Sequence, residues 1–298
     1  MSRNDPTTYR AKRMKPARWF REYGWRHLVM AAVVAFALFP VIVVISASFN
    51  PRGGIQSQKF IPSTLTLDNY RALTGDQNVP FYHWMRNTVI ISGVAALANT
   101  FLSALAAYAF SRMRFRGRRG GLLVILLVQM FPITLLMVAI FLMMQNIGGI
   151  FPAVGLGTQM GLILVYMGGA LGVNTWLMKG FFDTVPRSLD ESALIDGATH
   201  WQIFWRIILP LAAPVLAVVA MLGFITAVNE YVLASVLLRD VNDFPLSVGL
   251  FRFIDNDFGA EWGPFAAGAL LSAVPVVVLF QFLQRFIVSG LTAGAVKE

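Results

Sequence analysis

Six long apolar runs, separated by polar segments, dominate the sequence: 28–49, 88–110, 122–145, 160–182, 211–235 and 265–288. A helix rises about 1.5 Å per residue, so each run is long enough to cross a hydrocarbon core of about 30 Å. Membrane-spanning β-strands would instead alternate polar and apolar positions over about ten residues. The pattern therefore predicts an all-α membrane protein with six transmembrane helices.

The composition agrees with a membrane protein, since 57% of the residues are hydrophobic and only 13% are charged. The chain has no cysteine, which excludes disulfides and thiolate metal sites, and its three histidines have no ligand spacing. The net charge of +9 could indicate nucleic acid as a partner. However, 18 of the 24 basic residues fall in or beside the segments on one side of the predicted membrane. This positive-inside bias predicts that both termini are cytoplasmic and explains the charge without nucleic acid.

The six runs divide the chain into a basic cytoplasmic tail (1–27), a transmembrane domain (28–288) and a short cytoplasmic C-terminal tail (289–298). The first run is longer than the apolar region of a secretory signal peptide, which favours an uncleaved anchor. The third outer loop carries five acidic residues among phenylalanines. It suits either docking of a soluble partner or a lid packed on its own helices. The loops are predicted at 50–87, 146–159 and 236–264 outside, with a long cytoplasmic loop at 183–210.

The chain carries little sign of its own chemistry. No lysine follows a glycine, so the phosphate-binding G-x-x-x-x-G-K-[ST] loop is missing, and no catalytic set falls in a soluble domain. We therefore expect no cofactor, no metal and no enzymatic activity on this chain. One carboxylate, Glu230, lies within an apolar run beside Asn229, near its predicted outer end, and favours a role in the pathway or gate. Gln129 is a further candidate there, and Asn99 and Asn174 resemble interhelical hydrogen-bonding residues. An ion-coupled secondary transporter stays open at this point.

The cytoplasmic loop contains a predicted two-turn helix from Leu189 to Asp196. Ser188 and Glu191 have the S-x-x-E spacing of a capping box, and Gly197 can supply the left-handed residue that ends a helix. The helix carries small residues that allow close approach by another surface. Because so short a helix is marginal in water, we expect a partner or the bundle itself to hold it.

One sequence line gives this loop a specific resemblance. It runs E-A-A, three residues, Gly, nine residues, Ile-x-Leu-Pro, and it resembles the motif of permease subunits of binding-protein-dependent ABC importers. Here Ser192 replaces the first alanine, a small-for-small change, and every interval is kept. The residues that match are Glu191, Ser192, Ala193, Gly197, Ile207, Leu209 and Pro210. Ser188 and Asp196 complete the candidate coupling site.

Further segments resemble the carbohydrate-uptake branch of that family, and more narrowly the permeases for maltose and maltodextrins. They include "AYAFSRMRFRGRR", "QMFP", "IDGATHWQ" and "RFIVSGLTAGAVKE". The resemblance implies a type I importer in the bacterial inner membrane, built with a larger permease subunit, two copies of an ATPase and a periplasmic sugar-binding protein. It implies that ATP and Mg²⁺ bind the ATPase, into which the loop helix docks. It also implies that most sugar contacts lie on the larger permease. Permeases for other oligosaccharides or glucosides, such as trehalose, share these motifs.

Overall fold

A computed structural model of the chain describes residues 20–51, 60–62, 64–76, 78–169, 172–255 and 261–295. Every regular element in these ranges is helical, which confirms the predicted all-α class. Much of the basic N-terminal tail and the last residues of the C-terminal tail lie outside the described ranges. The part of the N-terminal tail that is described is helical from Phe20 onward.

Three long helices form the frame of the bundle. They are α1 (Trp25–Phe49, continuous with a π-helical turn at Phe20–Gly24), α3 (Phe81–Arg112) and α14 (Trp262–Ala295). Shorter helices fill the rest of the chain: α2 (Asp68–Thr74), α4 (Arg118–Gln129), α5 (Met137–Ile150), α6 (Gln159–Met167), α7 (Val173–Thr184), α8 (Arg187–Ile195), α9 (His200–Ile203), α10 (Leu209–Leu211), α11 (Ala213–Asn229), α12 (Val232–Leu237) and α13 (Leu246–Phe251).

Four helical segments in the described ranges are long and apolar enough to cross a membrane, and a bent pair of helices raises the number to five. The straight segments are Phe20–Phe49, Phe81–Arg112, Ile133–Ile150 and Trp262–Phe286. The bent pair joins His200–Leu211 to Ala213–Asn229 at an angle of 79°. Six unbroken spans were expected from the apolar runs, and three of those runs are interrupted.

Each interruption has a local cause. The third run breaks after α4, at "MFP", because the residue before Pro132 is disfavoured in the helical region. The fourth run breaks after Met167, where Gly168 and Gly169 form a turn, leaving α6 and α7 with 9 and 12 residues. The fifth run breaks at Glu230, whose backbone is extended. A hydropathy average over about 20 residues does not reveal these breaks, because each involves only a few residues.

The long helix α3 lies at the centre of the bundle. It packs against α11, α7 and α6, and α14 packs against α1 and α11. Where α3 ends, a cluster of buried side chains joins it to α7 and to the segment after α8. We call this cluster the loop core; it consists of Ala104, Ala107, Tyr108, Met178, Phe182, Val185, Ile203, Phe204, Ile208, Ala212 and Val219.

Candidate functional site

The loop helix α8 begins at Arg187, directly after Pro186. Val185 is extended, as the residue before a proline should be, so α7 ends and the chain turns before α8 starts. No side chain caps the helix, and Ser188 lies inside it. The predicted capping box between Ser188 and Glu191 is therefore wrong, because the helix follows Pro186 directly and begins two residues before the predicted Leu189.

A capping box does exist in this loop, at the start of α9. The Thr199 hydroxyl accepts a hydrogen bond from the Gln202 backbone N–H at 3.3 Å, and Gln202 Oε1 accepts one from the Thr199 N–H at 2.8 Å. Two N–H groups that α9 itself cannot pair are thereby satisfied. The chain leaving α8 is thus directed into α9 by local hydrogen bonds.

The predicted end of α8 at Gly197 is confirmed. Gly197 has a φ of +82°, the left-handed conformation that glycine adopts without steric cost. The Ala198 N–H donates to the Ala193 carbonyl at 2.9 Å, and the Gly197 N–H donates to the Leu194 carbonyl at 3.1 Å. This pair of bonds is the Schellman motif, which closes the helix C-terminus.

The helix presents two different faces. Asp190 and Ala193 are partly buried against the rest of the chain, and Ala193 packs on the loop core. The opposite face has the i, i+3, i+4, i+7 spacing of one helix side, and all its members are exposed. We call this the outer face; it consists of Ser188, Glu191, Ser192 and Ile195.

Ile195 is the most apolar feature of the outer face, and it is 86% exposed. An open depression of about 250 Å³ lies beside the C-terminal end of the helix, lined in part by Asp196, Gly197 and Arg206. Glu191 and Ser192, the first two residues of the E-A-A line, thus point away from the bundle, while Ala193 points into it. The motif therefore has one part that packs against the bundle and one part that is exposed.

The Ile-x-Leu-Pro end of the motif is structural in this chain. Ile207 and Leu209 pack on the loop core, which fixes the segment after α9 to α3 and α7. Pro210 lies in α10, just before the 79° bend at Ala212. The segment 204–208 adopts a π-helical turn on the way into that bend.

The C-terminal end of α3 holds the loop at three points. The Arg112 Nη2 donates to the Val185 carbonyl at 2.8 Å, just before α8. The Arg112 Nε lies 2.9 Å from Asp190 Oδ2, within α8. The Tyr108 hydroxyl donates to the His200 carbonyl at 3.2 Å, just after α8. One helix end therefore contacts the entry, the body and the exit of the loop helix.

Neighbouring charges complete this junction. Ser111 donates to Asp183 at 2.6 Å, and Lys179 forms an ion pair with the same carboxylate. The Ser111 carbonyl, which the end of α3 leaves without a helical partner, accepts from Arg118 and Arg187, each at 3.3 Å. The junction thus joins the end of α3 to charged residues of α4, α7 and α8.

The Asp190 carboxylate is enclosed with its partner. Its side chain is 13% exposed and that of Arg112 only 5%. Burial raises the pKa of Asp190 above its ordinary value, although Arg112, Arg187 and His200 act to lower it. The cost of removing the carboxylate from water is therefore not fully recovered by the cations around it.

Neither Asp190 nor Arg112 was predicted as a site residue from the sequence. The pair was missed because its members lie 78 positions apart. The run "SRMRFRGRR" offered one hint, since its first arginine lies two residues after the end of a long apolar run, on the side of the membrane predicted for the next cytoplasmic loop.

A second polar site lies around Glu230. Its carboxylate accepts hydrogen bonds from the N–H groups of Leu233 and Ala234 at 2.8 and 3.0 Å, so it stabilises the start of α12. The Tyr166 hydroxyl donates to it at 2.7 Å. Glu230 lines a cavity of about 320 Å³ together with Asn99 of α3, Tyr166 of α6, Asn174 of α7 and several residues of α11.

The other polar candidates occupy different places. Asn99 donates to the Tyr166 carbonyl at 3.2 Å, which confirms it as an interhelical hydrogen-bonding residue. Gln129, predicted for the pathway or gate, accepts from the Val173 N–H at 2.9 Å, at the start of α7. Asn174 lines the cavity with Glu230. Asn229 bonds within its own helix and lines a separate cavity of about 380 Å³. Asn229 and Glu230 are adjacent in sequence but do not form one site.

These features define the class of protein. The chain belongs to the family of binding-protein-dependent transport system inner membrane components, whose pattern matches residues 99–292. That range includes the loop helix, the end of α3 and the Glu230 cavity. The chain is therefore an inner-membrane permease component, a class of subunit that is not itself catalytic.

Particular relatives are similar along nearly the whole chain. The maltose/maltodextrin transport system permease protein MalG of Yersinia pestis is 41% identical, over 91% of this chain and 92% of its own. The proteins of the same name from Photorhabdus laumondii and Escherichia coli K12 are 40% and 39% identical. The first match covers 92% of this chain and 96% of the relative, the second 91% and 94%.

Solved structures agree with the fold. A chain of a bacterial ABC transporter that imports the acidic polysaccharide alginate superposes with a TM-score of 0.73 and 27% identity, covering 90% of this chain and 97% of its own. A second structure of a bacterial alginate ABC transporter, in complex with a pentasaccharide-bound periplasmic protein, gives a TM-score of 0.65 at 18% identity. It covers 90% of this chain and 94% of its own.

Proposed function

We propose that this chain is the smaller permease subunit of an ABC importer for maltose and maltodextrins. The observation that carries the proposal is the loop helix α8, which is fixed to the bundle on one face and leaves the other exposed. The family match and the relatives of about 40% identity support the same subunit type. All three of those relatives carry the name of a maltose and maltodextrin permease.

The outer face of α8 is the proposed contact with the ATPase. Ser188, Glu191, Ser192 and Ile195 are exposed, and the last of these places an aliphatic side chain in water unless a partner covers it. Asp196 and Gly197 line the depression beside it. Ile207, Leu209 and Pro210 act from within the bundle, by setting the position of the loop. Nucleotide and Mg²⁺ bind the ATPase in this proposal, and this chain receives the movement.

The complex pairs this chain with a larger permease, two ATPase copies and a periplasmic binding protein. We propose six membrane crossings with both termini in the cytoplasm. The fourth crossing is α6 followed by α7, and the fifth is α11 followed by α12. The first crossing is retained as an anchor. The outer loop 236–264 faces the binding protein, and the C-terminal residues face the ATPase interface.

The transport cycle follows alternating access. Binding protein outside and ATP inside must both prefer the outward-facing state, because a ligand shifts a conformational equilibrium only through differential affinity. The Glu230 cavity, at the break between α11 and α12, is the proposed gate region of this chain. The Glu230 carboxylate accepts hydrogen bonds from Tyr166 and from two N–H groups of α12. A displacement of Tyr166 would therefore move the start of α12.

Reconstitution in proteoliposomes tests the proposal. The chain is combined with the larger permease and the ATPase, with ATP inside the vesicles and binding protein plus labelled sugar outside. We expect maltose and maltotriose to enter only with ATP, and a protonophore to leave uptake unchanged. Uptake that collapses with the protonophore and ignores an inactive ATPase would show an ion-coupled transporter instead. Uptake of trehalose with no uptake of maltose would replace the proposed substrate.

A further inference from the structure

The pair formed by Arg112 and Asp190 connects the loop helix to the longest helix of the bundle core. Arg112 is the last residue of α3, and Asp190 lies in the first turn of α8. Their side chains are 5% and 13% exposed, which is unusual for charges at the edge of a helix bundle. Their enclosure is the feature that requires an explanation.

The position of α8 does not depend on this pair alone. Its C-terminus is closed by Gly197 and its backbone bonds, and Ala193 packs on the loop core. Within the described residues, neither Asp190 oxygen accepts a hydrogen bond, and the Arg112 Nε that lies 2.9 Å from Oδ2 donates none, so the charge of Arg112 is the nearest compensation for the buried carboxylate. Burial still raises the pKa of Asp190, and a buried ion pair of this kind is weak support for stability. A role in transmitting movement between α8 and α3 therefore explains the two enclosed charges better than a contribution to stability does.

From Arg112, α3 leads directly to the Glu230 cavity. Asn99 lies 13 positions earlier on the same helix, about 20 Å away at 1.5 Å per residue. Its amide donates to the Tyr166 carbonyl, and the Tyr166 hydroxyl donates to Glu230. A displacement of α3 would therefore change the contacts at the break between α11 and α12.

We propose that Arg112 and Asp190 form the joint that makes α8 and α3 move as one body, so that movement of the loop helix reaches the cavity. The inference rests on the proposed function, which supplies the partner that moves α8. Arg112 acts as a positioning residue: it also holds the Val185 carbonyl, so it grips the loop on both sides of Pro186. The joint transmits movement without touching sugar or nucleotide.

The first test separates the joint from simple stability. In the reconstituted complex, Asp190→Asn keeps the size of the side chain but removes its charge. We expect the subunits to co-purify and ATP hydrolysis to continue, while sugar imported per ATP hydrolysed falls about tenfold. Asp190→Glu should recover most of the ratio. Asp183→Asn is the matched control, because Asp183 also bonds the end of α3 but lies outside α8; its ratio should stay normal.

The second test does not depend on sugar. The chain contains no cysteine, so spin labels can be attached at Leu189→Cys on α8 and Phe101→Cys on α3, both exposed sites. Both labelled chains are measured in the complete complex with and without ATP. While Asp190 is present, the distance between the labels should not change when ATP binds. In Asp190→Asn, the distance should change. A distance that changes with ATP while Asp190 is present overturns the joint.

The outcomes distinguish the two proposals. A normal sugar-to-ATP ratio in Asp190→Asn, a loss that only follows lost assembly, or a failure of Asp190→Glu to recover the ratio would each refute the joint and leave the importer intact. A natural complex that imports no sugar would refute the proposed function, and the label distances would still decide whether the two helices move together.

Discussion

Replacing Ile195 with glutamine is the sharpest test of the outer face. Glutamine is a good helix former, so α8 should persist, and the side chain touches little of its own bundle because Ile195 is 86% exposed. Surface changes of this kind usually alter folding stability by less than about 0.5 kcal/mol. An effect on the complex can therefore be assigned to a contact with the partner.

The expected magnitude follows from the exposed area. Burying an isoleucine side chain completely contributes about 1.5 to 3 kcal/mol, and here nearly the whole side chain is available for a partner. Loss of that contribution corresponds to roughly 10- to 100-fold weaker association. Ile195→Met keeps an apolar side chain of similar volume and should bind within a few-fold of the natural chain.

The assay measures binding of labelled, nucleotide-bound ATPase to the detergent-solubilised permease pair, with sugar uptake measured in parallel. The larger permease makes its own contact with the ATPase, and this contact is the same in the variant complex and in the natural complex. The ratio of the two ATPase affinities therefore reports the contribution of α8. Melting temperatures of the permease pair should agree between the two. Natural affinity and natural uptake in Ile195→Gln would show that the outer face is not the docking surface.

Three further predictions concern the same loop. Gly197→Ala should cost about 1 kcal/mol through the left-handed φ alone, since an added Cβ meets nothing within 4 Å, and Gly197→Asn should cost less; thermal unfolding compares them. Thr199→Ala should lower stability by about 1 kcal/mol through loss of the capping box, and Thr199→Ser should restore it in the same melting experiment. Burial raises the pKa of Asp190, so the folded chain holds its proton more tightly than the unfolded chain, and ionisation costs stability as pH rises between the two pKa values. Asp190→Asn lacks this cost, so its melting temperature relative to the natural chain should rise from about pH 4 to pH 7, and a pH-independent difference would contradict the reasoning.

The helical class and the end of the loop helix could be predicted from local residues. Apolar runs of about 20 residues leave little alternative to helices, and Gly197 ends α8 because few other residues adopt its φ. The start of α8 was wrong because Ser188 and Glu191 match a capping box, while Pro186 constrains the backbone more strongly. The real capping box at Thr199 and Gln202 has the same spacing and was available in the sequence.

The remaining features depend on contacts between distant parts of the chain. The spans were predicted as continuous because an average over an apolar run conceals a single break such as that at Glu230. Arg112 and Asp190 are both charged residues near predicted helix ends, where local rules already explain them. Only the packing of α3 against the loop shows that each is the other's partner.

The 79° bend at Ala212 places the segment His200–Leu211 nearly at right angles to α11. In the proposed orientation, with α11 crossing the bilayer, that segment would run along the cytoplasmic surface, and the exposed rings of Trp201 and Trp205 would meet the lipid headgroups. A surface segment of this kind would fix the depth of the loop helix relative to the bilayer. The proposed ATPase would then move α8 and α3 together, parallel to the plane of the membrane, because the lipid would resist a movement toward the bilayer.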